Sequence, residues 1–213
     1  MLANMRKVIV PICIGVAAVA MCQDRPAVAQ SSQRSMASLG LDKGAVEGRI
    51  YKNPSVGLEL TPAPTLRFGI PKLNGSPARV VSVDAWDYSL SEGMSFSADI
   101  LSYHPKNQRS TKALMQSLVE TVRHGGYEPT NVRTEGTLDG VEFARIDFEK
   151  VGNAGGRWTY EAAFVRACAT KELIFLFIGP DQESVKKLIG GTVVKLDLAI
   201  SRCRSKAEDV STE

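Results

Sequence analysis

Histidine and cysteine are scarce in this 213-residue chain, two and four respectively, and no C-x-x-C or H-x-x-x-H spacing occurs among them. A metal centre is therefore not expected. There is no G-x-S-x-G elbow, phosphate loop or dinucleotide fingerprint, and the glycines from Gly152 to Gly156 lack both the lysine and the strand-to-helix setting that such loops need. No catalytic residue and no cofactor is assigned. Excess charge is also missing. The formal net charge is +3, and Arg6, Lys7 and Arg25 against Asp24 account for two of those charges, which leaves the chain beyond residue 29 near +1. Without a strong basic field, nucleic acid is not an expected partner. What remains, 44% hydrophobic and 23% charged residues, is the composition of an ordinary globular domain and excludes disorder, collagen and coiled coil.

Long apolar runs are missing everywhere but at the start. Arg6 and Lys7 precede an apolar stretch from Val8 to Met21, and Ala27-Val28-Ala29 then offers a small-x-small site before Gln30. This is the pattern of a secretory signal peptide cleaved near Ala29. The stretch of 14 residues makes a helix of only about 21 Å, short of the ~30 Å bilayer core. A second reading is a lipoprotein acylated at Cys22, although Met21 stands where such motifs carry a small residue. Leu173 to Ile178, the next apolar run, is six residues long, so the mature form has no expected membrane span. The expected location is secreted or periplasmic.

Residues 30–48 are rich in Ser, Gly, Ala and Gln with no sustained period, and read as a flexible linker. Residues 49–201 read as a single α+β domain and 202–213 as a disordered C-terminal tail. Short strands are expected at Ile50 to Tyr51 and Val56 to Leu60, while Pro62, Pro64, Pro71 and Pro77 confine the stretch up to Ala78 to edge or loop. Val81, Val83 and Ala85 alternate with Ser82, Asp84 and Trp86, and Phe96, Ala98 and Ile100 share one face of a second run; together they predict a hairpin.

Ser110 or Thr111 caps a predicted helix carrying Leu114, Met115, Leu118, Val119 and Val122, stopped by Gly125-Gly126. Strands Asn131 to Leu138 and Val141 to Phe148 flank an Asp139-Gly140 turn. Trp158 to Ala167 and the wholly apolar Leu173 to Ile178 come next, the latter as a central strand covered on both faces. Asp181 caps a second helix with Val185, Leu188 and Ile189. Gly190-Gly191 either lies inside it or ends it, with Val194, Leu196 and Leu198 then forming a last strand. This order predicts an α+β fold, a largely antiparallel sheet with helices packed on its faces in an α/β/α layer sandwich.

Tyr51-Lys52-Asn53-Pro54-Ser55-Val56-Gly57-Leu58 resembles the opening Y-x-N-x-x-x-G-F/L of secreted PsbP-type domains, the extrinsic photosystem II subunit and its bacterial relatives. The element order from Ile50 to about Leu198 is similar too. Pro62-Ala63-Pro64-Thr65 departs from relatives in lacking an aromatic. The resemblance implies an α+β fold; a photosynthetic role is not carried over from it.

Two candidate features carry chemistry. Cys168 and Cys203 are the cysteines left after export, and a disulfide between them would close a loop of about 36 residues, for which loop-closure entropy gives roughly 4 kcal/mol. The alternative is a small buried Cys168 and a Cys203 in a frayed basic tail. A nucleophile formed by Cys168 with His104 or His124 is the loosest reading, since a free thiol oxidises outside the cytoplasm.

The second feature precedes the first helix. His104, Lys106, Arg109, Ser110, Thr111 and Lys112 bring cations and hydroxyls to free backbone N–H groups, the chemistry of a weak anion site. The plainer reading is a solvated loop and a helix cap. An anion site there predicts that Lys106→Ala with Arg109→Ala weakens phosphate binding while changing stability by no more than about 0.5 kcal/mol. The expected function is a non-enzymatic binding or scaffold domain whose partner is an envelope protein or a small ligand. A small-anion or ligand-binding module and a cell-envelope hydrolase are the alternatives.

Overall fold

Alternation of apolar and polar residues dominates the chain, and the computed structural model, which describes residues 41–75, 79–87, 93–102, 109–150, 160–201 and 203, is built mainly from strands. In chain order, β1 (Ala45–Glu47), β2 (Ile50–Asn53) and β3 (Leu58–Thr61) precede β4 (Arg67–Phe68), β5 (Lys72–Gly75), β6 (Arg79–Trp86) and β7 (Ser95–Ser102). Helix α1 (Thr111–His124) leads into β8 (Tyr127–Leu138), β9 (Val141–Lys150), β10 (Tyr160–Ala167) and β11 (Lys171–Gly179). Then come α2 (Gln182–Gly191), β12 (Val193–Leu196) and α3 (Leu198–Ser201).

The strands form two antiparallel sheets. One has four strands in the order β1-β2-β3-β12; the other has eight in the order β4-β6-β7-β11-β10-β9-β8, with β5 also paired to β6. This corrects the expected α/β/α layer sandwich. Helices of 14, 10 and 4 residues are too little material for two helical layers. The face expected to lie under helices is instead covered largely by the second sheet: Tyr51, Leu58, Leu60 and Val194 pack with Val81, Phe96, Ile100, Phe164, Phe175 and Phe177 of the large sheet, and α2 adds Val185 and Leu188. Phe96 and Phe177 lie 4.8 Å apart by ring centroids, and Phe143 and Phe175 meet edge-on at 5.3 Å, within the range of favourable aromatic pairs.

The opposite face of the large sheet carries a second core. Leu114, Met115, Leu118 and Val122 of α1 pack there on Ile146, Phe148, Ala163, Val165 and Ile174. The Asp139-Gly140 turn has positive φ at both residues, 51° and 80°, as a two-residue hairpin with the right-handed strand twist requires. Residues 41–48, placed in the linker by the sequence, contain β1 and the buried Leu41. The expected signal peptide, the Cys22 alternative and the first part of the linker lie outside the described residues, as does the tail apart from Cys203.

The segment from Tyr51 to Leu58 is engaged in architecture. Asn53 donates from Nδ2 to the Asp42 carbonyl and to the Tyr51 hydroxyl, each at 3.0 Å, while Tyr51 donates to the Lys43 carbonyl at 3.1 Å. These bonds hold the chain that enters β1 against β2. Gly57 has φ +64°, and a Cβ there would come within 2.8 Å of the Asp197 Cβ, so no other residue fits without a shift.

Candidate functional site

Strict period 2 in β6 and β7 sends Val81, Val83, Ala85, Phe96, Ala98 and Ile100 into the core between the sheets. The intervening residues must then share the other face. Register places Ser82 opposite Asp99, Asp84 opposite Ser97 and Trp86 opposite Ser95, with Ile174, Leu176 and Ile178 next across β11. Helix α1 packs on β8, β9 and β10. On this face of β6 and β7, Ser82, Asp84, Trp86, Ser95, Ser97 and Asp99 are therefore a half-buried, mostly polar shelf beside the helix, bounded by Val80 and Leu101, which join the core under α1.

Two carboxylates define its electrostatics. Burial raises Asp99 to about 6, against a lowering hydrogen bond from Ser82, and the charge of Asp84 raises it further. Burial also raises Asp84, opposed by Lys72 on the neighbouring edge strand. Near neutral pH the shelf is thus an incompletely solvated anionic surface. An ammonium or guanidinium group set against it would replace lost water and satisfy both acids.

Of the six residues placed at an anion site, His104 and Lys106 lie outside the described residues. Arg109 is bound elsewhere: its Nε and Nη2 donate to Glu172 at 2.9 and 2.6 Å, and that carboxylate is 3% exposed. Ser110 caps α1 by accepting the Ala113 N–H at 3.2 Å. Thr111 accepts the Ala167 N–H at 3.2 Å, which leaves Lys112 as a solvent-exposed helix residue. Arg109 and Thr111 here fasten the start of α1 to β11 and β10, and Ser110 caps the helix itself.

Cys168 and Cys203 are joined in a disulfide, with Cα atoms 4.0 Å apart. So placed, Cys168 is no thiolate, and the Cys-His nucleophile has no basis. His124 directs Nδ1 to the Glu120 carbonyl at 2.6 Å. Among the described residues, no three His, Cys, Asp or Glu side chains are grouped to hold a metal, and no helix is long and apolar enough to cross a membrane.

Sequence reasoning did not single out Asp84 and Asp99, nor the buried Glu161 and Glu172. The available signal was an acid at alternate positions inside otherwise apolar strands. Comparison with known family models, curated proteins and solved structures found no match.

Proposed function

We propose that the chain, after export, acts in the cell envelope as a non-enzymatic binding domain, and that the β6–β7 shelf receives a lysine- or arginine-bearing segment of a partner protein. The observation that carries this reading is the pair of partly exposed acids, Asp84 and Asp99, on the β6–β7 part of the sheet face, next to a helix packed on β8, β9 and β10. Apolar Leu176 and Ile178 at its inner margin supply contact area between the acids and α1. A small-anion site before α1 gains no comparable support, because Arg109, Ser110 and Thr111 are engaged within the fold.

NMR shift mapping of the mature protein with a lysine-rich and a glutamate-rich decapeptide tests the charge preference. The lysine-rich peptide should perturb Ser82, Asp84, Ser97 and Asp99, weaken with salt, and lose its effect in Asp84→Asn/Asp99→Asn. Equal response to both peptides, or shifts confined to other faces, would reject the proposal. Export is tested by intact mass: native protein should begin at Gln30, and a retained Met1 or an acylated Cys22 would refute cleavage near Ala29.

A further inference from the structure

Glu161 sits in β10, on the face that α1 covers, and is 2% exposed. Its cross-strand neighbours, Phe148 on β9 and Ile178 on β11, are apolar. The groups facing it are the Tyr127 hydroxyl, which hydrogen-bonds the carboxylate, and Lys150, whose Nζ lies 5.5 Å from the centre of the Tyr127 ring. Tyr127 is the first residue of β8 and is reached from α1 through Gly125-Gly126. A buried acid is thereby bonded to the residue that turns the helix back into the sheet. The charges of α1's last turn, Arg123 and His124, are exposed, and Arg123 is bonded to Glu128 at 3.0 Å.

We propose that Glu161, Tyr127 and Lys150 form an acid-favoured latch on the α1–β8 corner: closed when Glu161 is protonated, loosened when it ionises. The Tyr127 O–H donates to Glu161 and by itself favours the carboxylate, but burial outweighs that bond. The ionised carboxylate demands solvation that Phe148 and Ile178 withhold, and Lys150 supplies a single cation in partial compensation. Local opening of the corner admits water at low cost, because its backbone is joined through two glycines. Burial raises the carboxyl from its ordinary range to about 7, which places the change between mildly acid and neutral pH. The folded form binds the proton more tightly than an opened one, so closure is favoured at low pH and lost as pH rises through about 7. The latch is independent of the shelf and its partner.

Amide hydrogen exchange of the full mature chain, corrected for intrinsic rates, reads the latch directly. Opening of residues 118–130 should increase at least tenfold from pH 5 to pH 8, with β6 and β7 largely unchanged; the ceiling over that window, for a carboxyl moved from its ordinary range to about 7, is about 70-fold. Glu161→Gln should abolish the dependence, and Lys150→Met should move the transition to higher pH. Absence of a pH effect in the wild type overturns the proposal even if a variant fails to fold. So does a change spread evenly over the molecule, or one that Glu161→Gln retains.

Discussion

Replacing Arg109 by alanine deletes two charge-assisted N–H donors from a carboxylate whose side chain is 3% exposed. Glu172 is held there by the central strand β11 and is not free to swing into water. Breaking a buried pair on one side costs about 3–5 kcal/mol, because the remaining charge is left uncompensated. The Arg109 side chain is 32% exposed, so water reaches the vacated position and the lower end, about 3 kcal/mol, is expected. For a domain of this size that lowers Tm by about 6–12 °C. The anion reading gave at most about 0.5 kcal/mol for the same residue, so the two accounts separate clearly. Urea unfolding followed by far-ultraviolet circular dichroism is a sufficient assay. Lys112→Ala, exposed on the same turn, should fall within about 0.5 kcal/mol of wild type. Arg109→Met/Glu172→Met should recover most of the loss, since it removes the stranded charge as well as its partner. An Arg109→Ala variant as stable as Lys112→Ala would refute the reasoning.

Reduction of the Cys168–Cys203 bond should lower stability by roughly 4 kcal/mol, measured as the shift in urea midpoint with and without reductant. Gly57→Ala should cost more than Gly48→Ala: both have positive φ, but only at Gly57 does the added Cβ meet Asp197 and Ile200, whereas Gly48 has nothing within 4 Å. Equal losses would show that close approach is irrelevant at Gly57. Asp99 is raised to about 6 in the fold, so its contribution is fully favourable below the ordinary aspartate range and is lost as pH rises through about 6. Asp99→Asn should flatten that part of the pH–stability curve, measured by urea unfolding between pH 4 and pH 7.5.

Local chemistry made some features legible and non-local pairing hid others. Ser110 and Asp181 cap α1 and α2 because their side-chain oxygens reach N–H groups three residues on, a relation contained in the local sequence. The second sheet has no such signal. Its β3–β12 pairing joins Leu58–Thr61 to Val193–Leu196, distant in sequence and separately too short to announce a partner. Leu198 continued an apparent alternation, yet Asp197 accepts the Ala199 and Ile200 N–H groups at 2.9 and 3.1 Å and starts α3 instead. At the candidate site, period 2 already put Asp84 opposite the core-facing valines. That β7 brings Asp99 alongside, while α1 packs on β8, β9 and β10, depends on register and packing rather than on any motif.

Site-specific photocross-linking in the native envelope tests the binding role of the shelf most directly. A cross-linker at Ser97 should yield a discrete adduct that disappears when Asp84→Lys is added, and one at Lys195, on the outer face of the small sheet, should yield none. Identical adducts from Ser97 and Lys195, or a Ser97 adduct indifferent to Asp84→Lys, would contradict a role for the acidic shelf in binding.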